Sequence, residues 1–300
     1  MYAIPVPASV IRELRTSDLR RLADLVRALL PTMVVSEQGL DHMRKSTRWW
    51  VAEEDSELVA AARAGRFGRC WLGVSHAARG RGLGCELAEI VEGAVRAAGH
   101  PQAVAWTDDE PGSRFAERLG YHEQRRKPVS VLRLQGATPP PLVVPPDVTL
   151  VPLLEVEERL RELYTLTMAA HLDDPADARD ADQTFEDWLR DDVGVPDLDF
   201  EGSTVAVVEG RLAAVAYVLT DGVRAENEFT GTHPDFRGRG LATLVKLSTV
   251  HWAKRCGITE IWTGNDSENA PMLAINARLG YEPAGERRKH VKQLSPVSLS

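Results

Sequence analysis

The chain is poor in cysteine, and this shortage removes two classes of protein. Its 300 residues include three cysteines, Cys70, Cys85 and Cys256, which are widely spaced and lie in apolar surroundings. Their odd number and their spacing fit neither a disulfide framework nor a metal site. We therefore expect reduced core cysteines, no bound metal and a cytoplasmic location.

Long apolar runs and excess positive charge are also missing. No stretch approaches the roughly 18 consecutive apolar residues of a membrane span, and residues 1–15 lack the basic and then apolar layout of a signal peptide. The net charge of −8 at pH 7 argues against a nucleic-acid-binding protein. We expect neither a membrane nor a nucleic acid among the partners of this chain.

A glycine-rich turn lies in the second half of the chain. Residues 226–242 have the pattern of a strand that runs into Arg237–Ala242 (Arg-Gly-Arg-Gly-Leu-Ala) and then directly into a helix, which Gly257 ends. Glycine leaves the backbone uncovered, and the first amides of a helix have no acceptor within the helix. Such a turn is suited to an anion. We predict that residues 237–242 hold a phosphate-bearing cofactor.

Two common phosphate-binding patterns do not fit this turn. The dinucleotide pattern Gly-x-Gly-x-x-Gly fails because Gly240 is followed by Leu-Ala-Thr and no βαβ repeat follows. The loop Gly-x-x-x-x-Gly-Lys-Ser/Thr is absent. The turn must therefore belong to another class of phosphate site.

The first half of the chain repeats the second. Arg79–Gly84 form a second copy of the turn (Arg-Gly-Arg-Gly-Leu-Gly), and twenty residues separate the first arginine from the stopping glycine, Gly99 or Gly257, in both copies. Each copy then ends in Arg-Leu-Gly-Tyr, at residues 118–121 and 278–281. The shared turn, spacing and ending indicate an internal duplication.

The predicted elements give an α+β domain twice, each with a mixed, mostly antiparallel sheet flanked by helices. We predict a first domain at residues 1–136, a stiff linker at 137–147 that holds five of the eighteen prolines, and a second domain at 148–300. Val129–Leu134 is the predicted last strand of the first domain, and His290–Leu294 that of the second. The other predicted strands are residues 10–14, 49–53, 58–64, 69–75, 102–107, 148–153, 204–208, 212–219, 226–232 and 260–263, and helices are expected at 18–30, 36–46, 155–170 and 182–191 and after each turn.

The second turn and its flanks resemble the GNAT superfamily of N-acetyltransferases. The resemblance rests on Arg237–Ala242, on His233-Pro234 before them, and on Asn269 and residues 279–281 (Leu-Gly-Tyr) after them. It implies tandem GNAT-like domains and acetyl-coenzyme A (acetyl-CoA) as cofactor, with its pyrophosphate on the backbone amides of the turn. The cofactor-binding residues that it implies are Thr230, Gly231, Thr232, Arg237, Gly238, Arg239, Gly240, Leu241, Ala242, Asn265, Asn269 and Met272.

The resemblance also implies a general base. Glu226 and Glu228 lie two residues apart on the strand before the turn, so an unbroken strand would direct both to one face, together with Thr230 and Thr232. A glutamate on this strand is the commonest base of the family, and amine acylation needs a base that removes a proton from the ammonium group. Glu226 stands at the usual position, whereas a β-bulge would substitute Glu228. Two solvated carboxylates on an edge strand are the alternative interpretation.

Two asparagines after the next strand have open roles. Asn269 precedes a helix that starts near Pro271, so it is either the N-cap of that helix or, as the resemblance implies, a contact of the pantetheine arm. Asn276 stands four residues before Gly280, where many family members have a tyrosine that protonates the departing thiolate. Asn276 can donate a hydrogen bond but cannot act as a general acid. Either water or another side chain therefore supplies the proton to the thiolate.

The first copy keeps the turn but lacks other parts of the site. Its strand, residues 68–75, has no carboxylate, its loop 108–113 has no asparagine, and Ala116 stands at the place of Asn276. The first domain is expected either to bind coenzyme A as a scaffold or to keep an empty turn for packing. The residues of this second candidate cofactor site are Arg79, Gly80, Arg81, Gly82, Leu83 and Gly84.

The negative charge is concentrated in one segment of the second domain. Residues 173–201 carry twelve acidic residues and two arginines, so their net charge of −10 exceeds that of the whole chain. In the family this region lines the acceptor cleft, where a negative rim would attract a cationic amine such as a polyamine or an aminoglycoside. A solvated surface loop is the alternative interpretation.

Together these features predict acetyl transfer from acetyl-CoA to a primary amine of a small molecule by direct attack. No cysteine lies near the proposed base in the sequence, which disfavours an acyl-cysteine route. The tandem layout is similar to that of mycothiol synthase-like proteins, and an acetyltransferase that modifies or builds an antibiotic is an equal candidate. A catalytically silent acyl-CoA-binding sensor is the alternative from another class. The acceptor, the acyl chain length and the choice between monomer and homodimer stay open.

Overall fold

The chain folds into two units that both have α+β architecture. The structure is a computed structural model that describes residues 9–171 and 183–295. It divides the chain into Met1–Arg125 with Arg287–Ser300, called unit 1, and Arg126–Glu286, called unit 2. Within the described ranges, no helix is both long enough and apolar enough to cross a membrane.

Unit 1 repeats the order of elements that the sequence predicts for one domain. Its strands, whose residue bounds close this paragraph, form a sheet in the order β1-β2-β3-β4-β5-β12. The pair β4–β5 is parallel, and the other pairs are antiparallel. The elements are β1 (Val10–Glu13), α1 (Leu19–Leu29), α2 (Glu37–Met43), β2 (Arg48–Glu54), β3 (Glu57–Ala64), β4 (Arg69–Val74), α3 (Leu83–Ala97), β5 (Gln102–Thr107), α4 (Glu110–Arg118) and, from Arg287 on, β12 (Glu282–Gln293).

Unit 2 has the same design. Its elements are, from Arg126 on, β6 (His122–Arg133), then β7 (Val148–Pro152), α5 (Leu160–His171), α6 (Phe185–Trp188), β8 (Thr204–Val208), β9 (Arg211–Thr220), β10 (Arg224–Thr232), α7 (Leu241–Arg255), β11 (Glu260–Gly264) and α8 (Ala270–Leu279). The strand order is β6-β11-β10-β9-β8-β7, and only β10–β11 is parallel among the described pairs. The predicted helix at 182–191 is the short α6, which continues as a π-helical turn at Leu189–Val193; its first residue lies outside the described ranges.

The sheet of unit 2 is covered by different helices on its two faces. α7 packs on one face through Leu241 and Val245, against alanines of β8 and β9. α5 packs on the other face through Leu163 and Leu166, against Tyr217 of β9 and its neighbours. Each face therefore has its own apolar cluster, and the side chains of β10 are divided between the two.

The last strands of the two units are exchanged, so one prediction is wrong. Val129–Leu134 was expected in the first sheet, but β6 pairs with β11 of unit 2, with Val131 opposite Trp262. His290–Leu294 was expected in the second sheet, but β12 pairs with β5 of unit 1, with Val291 opposite Val104. The units therefore differ from the predicted domains 1–136 and 148–300.

The physical reason is that both last strands carry a similar alternating pattern, which does not specify the sheet they join. Charged pairs distinguish them in the folded chain. Lys292 of β12 bonds both carboxylate oxygens of buried Glu92 on α3 at 2.8 Å, and Arg288 bonds Glu110 at 2.8 Å. These partners exist only in unit 1.

The exchange makes the C-terminal strand a part of unit 1, and a truncation tests this. We expect a chain that ends after Glu286 to lose amide protection in β5, because β5 loses its partner and Glu92 keeps a buried charge without its cation, which costs about 3–5 kcal/mol. Hydrogen exchange of β5 and of β9 measures the effect. A chain that ends after Leu294 is the control. Loss of protection in β9 with an intact β5 would contradict the exchange.

Two other predictions need correction. The proline-rich segment 137–147 belongs to unit 2, where Leu142 packs on the core and the carbonyl of Pro140 lies 2.8 Å from His251 Nε2. Of the cysteines, only Cys70 is buried. Cys85 and Cys256 are exposed because they lie in the first turn of α3 and just after the last turn of α7, beyond the faces that pack on the sheets.

Candidate active site

In both units the parallel strands pair briefly and then separate. β10 and β11 pair from Arg224 opposite Glu260 to Glu226 opposite Trp262. In unit 1 the pairing of β4 with β5 stops after Cys70 opposite Ala105. The strands form no further pairs toward their carboxyl ends, which leaves a cleft at the edge where ligands of α/β sheets bind.

The predicted glycine turn of unit 2 stands at this cleft. Gly240 is the N-cap of α7 and has no capping side chain, so the first amides of the helix lack a partner from the cap. Gly238 and Gly240 have φ of 75° and 74°, and a Cβ atom on either would meet nothing within 4 Å. The turn thus combines a left-handed backbone with open space in front of helix amides. These features fit a diphosphate group.

The side chains of this turn contribute less than its backbone. Arg239 forms an ion pair with Asp147 and lies over the ring of Phe236, with its guanidinium carbon 5.9 Å from the ring centroid. Leu241 is buried in the core, and Ala242 is half-buried. The amides are therefore the groups that the turn presents to a ligand.

The turn of unit 1 opens onto a cavity of about 490 Å³. Gly80 and Gly82 have φ of 79° and 91°, and Arg79 bonds the carbonyl of Val74 at 3.2 Å. Arg81 points away and pairs with Glu54 at 3.0 Å. Of the predicted residues of this second site, Arg79, Gly80, Gly82, Leu83 and Gly84 line the cavity.

A β-bulge in β10 separates the two candidate bases. Asn227 pairs with Val218 and Phe229 with the next residue of β9, Tyr217, so Glu228 has no partner. The bulge reverses the alternation of faces. Glu226 consequently shares its face with Phe229, whereas Thr230 and Thr232 lie on the other face. The expectation of one common face is wrong because it assumed an unbroken strand.

Glu226 lies on the face that α5 covers. It is 6% exposed and stands beside the position where β10 and β11 separate. On the same face the ring of Phe229 packs against those of His171 and Tyr217, with centroid distances of 4.6 and 5.6 Å. Burial raises the pKa of Tyr217, whose hydroxyl lies 2.8 Å from that of Thr167. A bulge was expected to substitute Glu228 for Glu226, but Glu228 is exposed on the bulge that forms, whereas Glu226 stays buried.

The opposite face of β10 carries hydroxyl and amide groups. Thr230 donates to Asn227 Oδ1 at 2.9 Å, and Thr263 of β11 donates to the backbone oxygen of Asn227 at 3.1 Å. Thr232 Oγ1 is buried and has no hydrogen-bond partner among the described residues. A buried hydroxyl without a partner is costly, and its place at the end of β10, before the turn, fits a bound polar ligand.

Gly231 contributes space and lies on the α5 side. A Cβ atom there would lie 2.6 Å from Ala170 Cβ and 2.6 Å from the ring of Phe229. Glycine is therefore needed for the close approach of α5. In the structure Gly231 therefore serves the packing of α5 against β10.

Asn269 is the N-cap of α8, one of the two roles that the sequence left open. Its Oδ1 accepts a hydrogen bond from the amide of Met272 at 3.2 Å, and Pro271 occupies the first turn. The cap uses the carbonyl end of the side chain. Met272 is half-buried in the same turn.

Asn276 belongs to a buried polar chain that the sequence did not predict. Lys246 of α7, with no exposed surface, donates to Asn276 Oδ1 at 2.7 Å, and Asn276 Nδ2 donates to Asn265 Oδ1 at 2.6 Å. Burial lowers the pKa of Lys246 to about 7. The sequence held a signal: Lys246 shares a helical stripe with Ala242, Thr249 and Ala253, and a lysine is rarely buried without a role.

Unit 1 has different residues at the matching positions. Counting from the first arginine of each turn, Ala88 corresponds to Lys246, and counting from the Leu-Gly-Tyr ending, Ala116 corresponds to Asn276. Both alanines line the cavity. Cys70 also lines it, but burial raises the pKa of this thiol to about 11, so it is a poor nucleophile.

Some acids of the described part of the acidic segment form contacts within the segment. Arg190 bonds Asp187 at 2.6 Å and Asp191 at 2.7 Å, and Gln183 bonds Asp192 at 2.6 Å. They involve three of the seven acids at residues 183–201, and with one arginine this part of the segment keeps a net charge of −6. Five of the twelve acids of the predicted rim lie outside the described residues: Asp173, Asp174, Asp177, Asp180 and Asp182.

Comparison with family models matches both units to one family. The acetyltransferase (GNAT) family model matches residues 158–281, and the acetyltransferase (GNAT) domain model matches residues 45–123. Together they cover about two thirds of the chain. The matches include both glycine turns.

Similar proteins match this chain over most of its length and of their own. A mycothiol acetyltransferase of Rhodococcus jostii is 27% identical over 89% of this chain and 92% of its own, and one of Nocardia farcinica is 28% identical over 87% and 91%. Among solved structures, a tandem GNAT protein from the clavulanic acid biosynthesis pathway superposes with a TM-score of 0.75 at 20% identity, over 97% of this chain and 100% of that chain. A GCN5-related N-acetyltransferase from Sphaerobacter thermophilus gives 0.69 at 20% identity, over 96% of both. At this identity the structural likeness establishes the fold.

Proposed function

Because the chain belongs to the GNAT acetyltransferases and is therefore an acyltransferase, we propose that unit 2 transfers an acetyl group from acetyl-CoA to a primary amine of a small molecule. One observation carries the proposal. Buried Glu226 stands where β10 and β11 separate, and the glycine turn opens at the end of the same cleft. Acetyl-CoA, when bound, supplies the thioester.

Glu226 is the general base of this proposal. It takes a proton from the ammonium form of the acceptor, so that the free amine attacks the acetyl carbon. Its burial on the α5 side supports this role, because α5 and β10 enclose the face from which an acceptor would come. Glu228 is exposed on the bulge and is the weaker candidate.

The backbone holds and polarises the thioester carrier. The first amides of α7 and the glycines at 238 and 240 would bind the diphosphate, and Thr232 Oγ1 would donate to a polar group beside it. The edge of β10 beyond Glu226 has no strand partner on the β11 side. Amides of Phe229–Thr232 on that edge can bond the thioester oxygen and stabilise its developing charge.

Unit 1 is proposed to bind coenzyme A without catalysing transfer. Its cavity adjoins Gly80 and Gly82, which supports binding over an empty turn kept for packing. Its strand β4, Arg69–Val74, contains no carboxylate, and Cys70 is a weak nucleophile. We propose a scaffold role for this unit.

The acceptor is proposed to be a small amine, because the relatives named above are mycothiol acetyltransferases. The test is amine-dependent release of free thiol from acetyl-CoA across amino sugars, amino-sugar conjugates, polyamines and aminoglycosides. We expect at least one amine to raise the rate above hydrolysis without amine. Tight binding of acetyl-CoA with no release for any amine would instead support the silent binding module.

A further inference from the structure

The geometry points to Lys246 as the side chain that protonates the departing thiolate of coenzyme A, with Asn276 as the residue that positions it. This inference rests on the proposed function of unit 2. It assigns the proton source that the absence of a tyrosine at position 276 leaves open.

Lys246 is buried at a high free-energy cost. Lys246 has no exposed surface, and its hydrogen bond within the described chain goes to the neutral Asn276 at 2.7 Å. A buried ammonium without a carboxylate partner is expensive. Leucine or methionine would fill the same volume more cheaply. A costly, buried and weakly neutralised cation is typical of a functional site.

Lys246 corresponds in position to a residue that lines the cavity of unit 1. In unit 1 the matching residues, Ala88 and Ala116, line the cavity that begins at the glycine turn. Tyr121, which matches Tyr281, lines it as well. In unit 2 Lys246 Nζ lies 5.2 Å from the centroid of the Tyr281 ring. Lys246 and Asn276 therefore stand at the positions that correspond to two cavity-lining residues of unit 1.

Lys246 belongs to a helix on one face of the sheet of unit 2. α7 packs on the face of the sheet that bears Asn227, Thr230 and Thr232, whereas Glu226 is on the α5 face. Glu226 and the helix that carries Lys246 therefore lie on opposite faces of the sheet. This separation lets Glu226 take a proton from the acceptor while Lys246 gives a different proton to the sulfur.

The proton balance closes with these two residues. Glu226 takes one proton from the acceptor ammonium, and the amine nitrogen forms the new bond to the acetyl carbon. The nitrogen loses its second proton to water as the amide forms. The carbon–sulfur bond breaks, its electron pair stays on sulfur, and the Lys246 ammonium gives the sulfur one proton. Lys246 is left as a neutral amine. It then takes a proton from water, and Glu226 releases one to water.

The ionisation of Lys246 suits this task. Burial lowers its pKa to about 7, below that of an ordinary thiol, so transfer to a thiolate is downhill. Among the described residues the titratable group that contacts it is Tyr281, whose pKa burial raises, so the phenol stays neutral. Glu226 of β10 lies on the other face of the sheet. Desolvation of the buried amine is therefore the cause of the lowered pKa of Lys246.

A labelling experiment on the wild-type protein tests the position without using turnover. Bromoacetyl-CoA places an electrophilic carbon next to the thioester; the neutral Lys246 amine would displace bromide, with its proton lost to water. We expect peptide mass spectrometry to find the adduct on Lys246, with a rate that rises as pH passes about 7. Lys254, on the same helix but bonded to the carbonyl of Leu134, is the internal control. Protein that binds bromoacetyl-CoA but carries no adduct on Lys246 would overturn the proposal.

Lys246→Met tests the chemistry. We expect kcat to fall about 100-fold, the KM for acetyl-CoA to stay unchanged, and the alkaline fall of kcat to disappear, since that fall reports loss of the Lys246 proton. Lys254→Met should keep wild-type values. A Lys246→Met protein that binds CoA, keeps kcat and keeps the pH profile would refute the role of Lys246 while leaving the acetyltransferase intact. A wild type inactive with every amine would refute the proposed function instead, and the labelling would still decide the position.

Discussion

Replacing Glu226 by glutamine is expected to lower kcat by about 10²- to 10⁴-fold, the usual contribution of a general base. Glutamine keeps the shape of the side chain and its hydrogen-bonding capacity but cannot accept a proton. Because Glu226 lies on the α5 face and the turn lies at the start of α7, binding of acetyl-CoA should be nearly unchanged. Steady-state kinetics and calorimetric titration with acetyl-CoA separate the two effects.

Glu228→Gln is the matched control for this result. It makes the same chemical change two residues away, at an exposed bulge position, and should leave kcat close to the wild-type value. Wild-type rates in both variants would remove the base assignment. A large loss of kcat in Glu228→Gln alone would assign the role of general base to Glu228.

Gly240→Val is expected to weaken binding of acetyl-CoA to unit 2 by at least about 100-fold. A β-branched residue is strongly disfavoured at φ of 74°. Its side chain would also enter the space that is open in front of the first amides of α7. Each lost hydrogen bond to a charged group costs about 1.5–3 kcal/mol, so the loss of two amides accounts for the effect.

The control for strain is Gly257→Val, at the opposite end of α7. Gly257 has φ of 75°, and a Cβ atom there also meets nothing within 4 Å. The backbone penalty should be similar, so both variants should lose comparable stability in thermal unfolding. Only Gly240→Val should lose binding. Equal loss of binding in both would mean that strain, and not the turn, explains the result.

Much of the site could be predicted because it depends on local backbone chemistry. The turn at Arg237–Ala242 needs glycines at fixed offsets before a helix, and this pattern is visible in the sequence. The duplicate at Arg79–Gly84 followed from the same pattern. The cap role of Asn269 was also foreseen, because an asparagine before proline and a helix start is a local signal.

The remaining features depend on contacts between distant residues. The exchange of β6 and β12 depends on the pairing of Lys292 with Glu92, two hundred residues apart, which no local pattern contains. The bulge at Glu228 turns Glu226 away from Thr230 through a single extra residue. The contact of Lys246 with Asn276 joins two helices. Local periodicity assigns such residues to elements but not to partners.

The central claim is that the glycine turn of unit 2, and not that of unit 1, carries the acetyl-CoA that is consumed. It is tested most directly by amine-dependent thiol release from Gly240→Val and Gly82→Val, measured beside the wild type with the same amine. We expect release to be lost in Gly240→Val and retained in Gly82→Val. Retained release in Gly240→Val together with its loss in Gly82→Val would contradict the account and assign the chemistry to unit 1.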